Sequence, residues 1–180
     1  DSEIESIVTS AISFDAPLVP VGGNRFALEL FHGPTLAFKD FGARFMAQLM
    51  ARFAVGLDRE LTILVATSGD TGSAVANAFH GVQGTRVVLL YPSGMVSNIQ
   101  ESQLTTFGGN VHAIEILGTF DECQQLVKRA FRDPELTIAL QLASANSINI
   151  ARLIPQMFYY LYAVGQLATY APVLISVPSG

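Results

Sequence analysis

The stretch Leu61-Thr62-Ile63-Leu64-Val65-Ala66-Thr67-Ser68-Gly69-Asp70-Thr71-Gly72 decides the fold class of this chain. Its first half is a short apolar run rich in branched side chains, which predicts a buried strand. Its second half is small and polar, and it leads into a helical pattern over 71–82 whose apolar face carries Ala74, Val75, Ala78 and Phe79. A buried strand, a tight turn and an amphipathic helix, in this order, are typical of one unit of a parallel sheet.

The same alternation continues on both sides of this unit. Further strands are predicted at 86–91, 110–117, 136–142 and 172–177, and further helices at 38–55, 97–107, 121–132 and 148–169. Pro155 predicts a kink or a late start in the last helix. We therefore expect an α/β fold with three layers, in which an open, mostly parallel sheet has helices on both faces.

The composition is unusually apolar for a chain of 180 residues, because half of them are hydrophobic and only 14% are charged. A typical domain carries about 25% charged residues. Either the sheet is buried on both faces, or part of the surface meets another domain or subunit. Since the sequence ends directly after a predicted strand, we expect a truncated chain. It would comprise an N-terminal segment at 1–37, a small α/β domain at 38–171, and the start of a second, larger domain at 172–180.

Charge and cysteine content argue against several classes of function. The net charge is −5 and the ten basic residues are scattered, so we expect no nucleic-acid partner. No apolar run approaches the roughly 18 residues of a membrane span, and the acidic N-terminus is unlike a signal peptide. Cys123 is the only cysteine and the three histidines lie far apart, so we expect neither a disulfide nor a metal site. A reducing cytoplasm is the expected compartment.

Lys39 is the most informative single residue, since the chain has only two lysines and this one stands between Phe38 and an Asp-Phe pair. Desolvation disfavours an ammonium ion, so a lysine in apolar surroundings suits attack on a carbonyl and Schiff-base formation. The alternative is a lysine whose stem packs on phenyl rings while its amine reaches water. The local pattern leaves both interpretations open.

Three loops are expected at the carboxyl ends of strands, where open parallel sheets bind ligands. The 67–72 loop and the 144–152 loop each place small or polar residues at a predicted helix start, the second with Arg152 one turn inside. Both suit a carboxylate or a phosphate, and both are equally compatible with ordinary helix caps. The third loop, at 178–180, indicates little alone. The glycine spacing of the first loop matches neither a P-loop nor a dinucleotide fingerprint.

These segments resemble the threonine synthase family in order and spacing. The resemblance covers the chain almost continuously from about 28 to 180, and rests on the Lys39 segment, the 68–72 turn, the 146–152 stretch and the final Ser176-Val177-Pro178-Ser179-Gly180. It implies a fold-type-II pyridoxal 5'-phosphate enzyme, similar in fold to the tryptophan synthase β subunit. It also implies conversion of O-phospho-L-homoserine and water to L-threonine and phosphate, the last step of threonine biosynthesis.

The resemblance also implies roles for individual residues. Lys39 would be the catalytic lysine, which holds the cofactor as a Schiff base and carries protons between substrate carbons. Asp70, Ser179 and Gly180 would join it in binding the cofactor. The substrate would be bound by Ser68, Gly69, Asp70, Thr71, Ser147, Asn149 and Arg152.

The sequence departs from the family pattern at two places. Many members carry a lysine near the position of Met95, and many related enzymes carry asparagine where Asp70 stands. Most of the cofactor's glycine loop lies beyond these 180 residues, so we expect the chain alone to be inactive. The alternatives are another fold-type-II lyase, such as a serine or threonine dehydratase, and a non-catalytic relative that binds a phosphorylated ligand. Both have a small-molecule ligand, and the oligomeric state is left open.

Overall fold

The computed structural model describes residues 2–56, 58–146, 149–167 and 172–177. In these residues the helices and strands follow one another in the order α1 (Ser2–Ala11), β1 (Leu18–Gly22), β2 (Arg25–Leu28), α2 (Lys39–Ala54), β3 (Leu61–Ala66), α3 (Asp70–Phe79), β4 (Thr85–Pro92), α4 (Asn98–Thr105), β5 (Val111–Ile116), α5 (Phe120–Arg132), α6 (Pro134–Leu140), β6 (Leu142–Ser144), α7 (Ile150–Leu153) and α8 (Gln156–Gln166). No helix among them is both long enough and apolar enough to cross a bilayer.

The main sheet has four parallel strands in the order β5-β4-β3-β6. Strand β3 is central and pairs with β4 from Leu61↔Thr85 to Ala66↔Leu90. Strands β1 and β2 form a separate antiparallel hairpin. Because all four main strands run the same way, the loops that follow β3 and β6 meet at one edge of the sheet.

The central strands are buried on both faces, as their unbroken apolar composition predicts. Successive side chains point to opposite faces, so Ile63 and Val65 join the core beneath α2 and α3, while Leu64 and Ala66 pack with Cys123 of α5. The predicted three-layer α/β arrangement is therefore confirmed.

The predicted strand at 136–142 is wrong. Residues 134–140 form helix α6, and only the short strand β6 follows. Asp133 caps this helix by accepting a hydrogen bond from the Leu136 backbone N–H at 3.0 Å, and Pro134 occupies the first turn. Proline is well tolerated there because the N–H that it lacks would have no helical partner.

Two further differences concern the C-terminal third of the chain. The helical stretch predicted at 148–169 contains two helices, α7 and α8, and the predicted interruption at Pro155 is the boundary between them. The predicted strand at 172–177 is absent, since these residues are exposed and have no regular structure. Helix α1 and the β1–β2 hairpin were not predicted. The division of the chain into 1–37, 38–171 and 172–180 stays a prediction.

Candidate active site

Lys39 is the first residue of α2, and its amine lies between an aromatic ring and a carboxylate. Its Nζ is 4.7 Å from the ring centroid of Phe38 and 3.6 Å from Oδ2 of Asp70. The side chain is 22% exposed. The amine therefore reaches the 67–72 turn and does not extend into bulk water, although it keeps access to solvent.

The segment before Lys39 is fixed by the neighbouring side chain of Asp40. This carboxylate is fully buried, and it accepts hydrogen bonds from Thr35, from the backbone N–H at 2.9 Å and from the hydroxyl at 2.6 Å. Gly33 packs so closely on Asp40 that a β-carbon at this position would overlap the carboxylate. The buried Asp40 carboxylate thus anchors the loop that leads into Lys39.

The 67–72 turn is organised by Thr67, for which the sequence predicts no role. Its buried hydroxyl oxygen accepts hydrogen bonds from the backbone N–H groups of Gly69, at 3.0 Å, and Gly72, at 2.8 Å. The same hydroxyl donates to the Gly69 carbonyl at 3.1 Å. Thr67 therefore caps the N-terminus of α3 through the backbone N–H groups of Gly69 and Gly72.

The loop after β6 is held by two asparagines. The Asn146 side chain donates to the Ala66 carbonyl at 3.0 Å, which joins this loop to the end of β3. Asn149 donates to the Ser144 carbonyl at 2.8 Å and accepts from the Ala151 backbone N–H at 3.0 Å. Both polar atoms of the Asn149 side chain thus have backbone partners in the loop.

Arg152 is a buried cation in a four-residue helix. It is only 4% exposed, and its Nη1 donates to the Ala145 carbonyl at 2.7 Å. Its Nε is buried and has no hydrogen-bond partner within the described part of the chain. Burial lowers the pKa of the guanidinium because it disfavours the charged form. An anion beside this group would offset that cost.

These elements enclose a cavity of about 700 Å³ at the carboxyl edge of the sheet. Both lysines of the chain line it, together with Arg152, so three of the ten basic residues face this cavity. Its polar lining includes Thr67, Ser68, Thr71, Ser144, Asn146 and Gln156, and its apolar lining includes Phe38, Phe120, Val127 and Phe131. This combination suits a flat, partly apolar ligand with anionic groups.

The structure thus brings four of the predicted site residues, Lys39, Ser68, Thr71 and Arg152, to one cavity. Gly69 is a buried residue of the 67–72 turn, and Asp70 contacts the Lys39 amine. Ser147, Ser179 and Gly180 lie outside the described residues. Lys128 was missed because nothing in the sequence of α5 indicates which of its charged residues faces the sheet edge.

Comparison with known proteins gives one family and consistent relatives. A family model described as pyridoxal-phosphate dependent enzyme matches residues 16–180. Threonine synthase from Serratia marcescens is 54% identical over all of this chain and 42% of that protein. Threonine synthase from Escherichia coli (strain K12) is 54% identical over 98% of this chain and 41% of that protein. The chain therefore spans about two fifths of the length of the curated relatives that it matches.

Solved structures agree with the sequence comparison. The crystal structure of threonine synthase from Escherichia coli superposes with a TM-score of 0.85 at 55% identity, over 92% of this chain and 38% of that one. The structure of PLP-bound threonine synthase from Brucella melitensis gives a TM-score of 0.82 at 41% identity, over 93% of this chain and 38% of that one. The fold-type-II class and the threonine synthase resemblance are both confirmed. Since the family model covers nearly the whole chain, the chain belongs to the pyridoxal-phosphate-dependent enzyme family.

Proposed function

We propose that this protein converts O-phospho-L-homoserine and water to L-threonine and phosphate with the help of pyridoxal 5'-phosphate. The observation that carries the proposal is the cavity that Lys39 shares with Arg152. One residue offers an amine for an aldehyde, and the other offers a buried cation for a phosphate. The relatives named threonine synthase, at about 54% identity, support the same activity.

The described residues fit the cofactor by the chemistry of their donors. When bound, pyridoxal phosphate supplies an aldehyde and an electron sink. Lys39 would hold the aldehyde carbon, with Asp70 beside the amine at 3.6 Å. Ser179 and Gly180, which lie outside the described residues, are proposed to contact the cofactor as well.

We assign the two ends of the substrate to the two loops. The turn of Ser68, Gly69, Asp70 and Thr71 would hold the carboxylate with its hydroxyls and backbone N–H groups, because it lies at the start of the ten-residue helix α3, whose N-terminus favours an anion. Arg152 would bind the phosphate, and its buried Nε without a partner in the described residues supports this role. Ser147 and Asn149 are proposed to assist. For Asn149 the support is weaker, because its side chain already bonds to backbone.

Lys39 and Arg152 would then divide the chemistry between them. Lys39, once its amine is released, would remove the α-proton of the substrate, help to remove a β-proton, and return a proton later. Arg152 would stabilise the negative charge that develops on the leaving phosphate, in a site that needs little reorganisation because its guanidinium is already fixed on Ala145.

The test is the substitution Lys39→Ala in the intact protein, with Lys128→Ala as the matched control at the other lysine. We expect Lys39→Ala to abolish the visible absorbance that bound pyridoxal phosphate gives, and the control to keep it. An unchanged visible spectrum in Lys39→Ala would refute the assignment of Lys39.

Two ligand experiments separate this function from its alternatives. O-phospho-L-homoserine should perturb the visible spectrum, whereas L-serine should not; the reverse result would favour a serine or threonine dehydratase. Borohydride reduction followed by peptide mapping should leave the pyridoxal group on Lys39. Binding of the phosphorylated ligand without such a label would instead indicate a non-catalytic binding protein.

We also propose a cytoplasmic location and a second domain. The single cysteine, Cys123, is buried and free, which is compatible with a reducing compartment. Residues 172–177 would lead into the larger domain that we propose, and the exposed apolar side chains of Leu174 and Val177 would then be covered. The greater length of the curated relatives supports this division.

A further inference from the structure

The carboxylate of Asp70 joins two side chains from distant parts of the chain. One oxygen, Oδ2, lies 3.6 Å from the Lys39 amine. The other, Oδ1, accepts a hydrogen bond from the side-chain amide of Gln100 at 3.0 Å. Gln100 thus contacts the partner of Lys39, although it lies in α4 and outside the cavity.

The cap of α4 fixes which way the Gln100 amide points. Its Oε1 accepts hydrogen bonds from the backbone N–H and the hydroxyl of Ser97, both at 3.1 Å. The Ser97 hydroxyl in turn accepts from the Gln100 backbone N–H at 3.3 Å, which completes a capping box. With its oxygen occupied by two donors, Gln100 turns its NH₂ group toward Asp70.

The backbone beside this contact also fits the glutamine side chain. Gly69 has φ of +139°, and a β-carbon there would overlap the Gln100 amide. Only glycine therefore allows the turn and the Gln100 side chain to lie this close together.

We propose that Gln100 is a positioning residue for Lys39, acting through Asp70. The Asp70 side chain is 54% exposed. Without the amide, its carboxylate would turn toward water and leave the amine, because an exposed ion pair gains little over hydration. Gln100 keeps the Asp70 carboxylate in place beside the 67–72 turn, and the carboxylate in turn keeps the Lys39 amine there. The importance of this placement rests on the proposed function of Lys39.

The contact can be tested by competitive acetylation, since the chain has only two lysines. The intact protein, freed of pyridoxal phosphate, is treated with trace acetic anhydride, and peptide mapping gives the ratio of acetylated Lys39 to acetylated Lys128. An amine that is held against a carboxylate is less available as a nucleophile than one that is released from it. We expect Gln100→Met to raise the ratio about two- to fivefold, the range for loss of an exposed ion pair, and Asp70→Asn to do the same. In the Asp70→Asn background, Gln100→Met should add no further change.

Two controls separate positioning from a general effect on α4. Gln103→Met changes a glutamine three positions, or just under one turn, further along the same helix. Ser102→Ala removes a hydroxyl that donates to the Asn98 carbonyl within α4 and does not contact Gln100. Both should keep the wild-type ratio, with circular dichroism confirming that each variant is folded. An unchanged ratio in folded Gln100→Met, or an equal rise in Ser102→Ala, would overturn the inference. This result is independent of cofactor binding, whereas the proposed function fails if wild-type Lys39 takes no pyridoxal label.

Discussion

The backbone carbonyl of Arg152 lies directly against Gly42. A β-carbon at Gly42 would be 2.6 Å from the Arg152 carbonyl oxygen, which is closer than such atoms can approach. Gly42 belongs to the first turn of α2, which begins at Lys39, so this contact sets the spacing between the helices that carry the two central residues of the site. The cavity therefore depends on a glycine that does not line it.

Gly42→Ala should consequently destabilise the protein, although alanine favours helices. The added methyl group must push α2 and α7 apart, and overpacking of this kind costs about 1–3 kcal/mol. The free energy of unfolding, measured with urea, checks this. The matched control is Gly165→Ala in α8, where a β-carbon meets nothing within 4 Å. It should be neutral or stabilising by about 0.5–1 kcal/mol, and an equal loss in both variants would contradict the role of the Arg152 contact.

Thr67→Val should destabilise the turn beneath the site by about 1–3 kcal/mol, because it leaves the Gly69 and Gly72 N–H groups without their buried acceptor. Valine keeps the shape of threonine, so the change isolates the hydroxyl. Urea unfolding measures the loss. Thr105→Val is the control, since that exposed hydroxyl only donates to Glu101 within α4. Its effect should stay within about 0.5 kcal/mol; equal effects at both positions would argue against a special role for Thr67.

The central layers could be predicted because their signals are local. The run at Leu61–Ala66 is apolar on both faces and the next helix is amphipathic, so strand, turn and helix follow from the pattern alone. The predicted strand at 136–142 failed although a local signal was present. Asp133, Pro134 and Glu135 form an N-cap, a first-turn proline and an acidic first turn, and they mark the start of a second helix directly after the one predicted at 121–132.

The contacts that complete the site could not be predicted, because they join residues far apart in sequence. Gln100 meets Asp70 across 30 positions, and Asn146 meets Ala66 across 80. Periodicity shows that a helix has a buried face, but it does not show which polar residue at the margin of that face meets which loop. Lys128 and Gln100 could therefore be found only in the structure.

Glu122 should make the stability of the protein depend on pH in the acid range. Its carboxylate accepts hydrogen bonds from the backbone N–H and the hydroxyl of Thr119, and these bonds lower its pKa below the ordinary value of 4.5. A folded-state pKa below the unfolded one contributes stability that is fully present above about pH 4.5 and is lost as pH falls through the folded value.

The substitution Glu122→Gln tests this pH dependence, because glutamine can still complete a capping box but does not titrate. The unfolding free energy of the variant should fall less steeply between about pH 5 and pH 3 than that of the wild type. Thr119→Ala, which removes the hydroxyl partner, should reduce the slope in the same direction. Wild-type and Glu122→Gln curves that run parallel over this range would show that the contact has no effect on stability.

Lys128→Met should weaken binding of O-phospho-L-homoserine to the intact protein. A phosphate monoester carries close to two negative charges at neutral pH, and Arg152 supplies only one positive charge. Lys128 lines the same cavity and is our candidate for the second. Because Lys128 is exposed, we expect an increase in Kd of about two- to fivefold, and a smaller difference at high salt, where exposed charges are screened.

The adjacent residue of α5 provides the control for Lys128. Arg129 is rotated by about 100° around the helix and lies with Arg132 and Asp133 at a separate surface depression. Arg129→Met changes the net charge by the same amount, so a loss of affinity caused only by the overall field would occur in both variants. We expect Arg129→Met to bind O-phospho-L-homoserine as the wild type does. Equal weakening in the two variants would show that Lys128 acts through long-range charge and makes no contact with the phosphate.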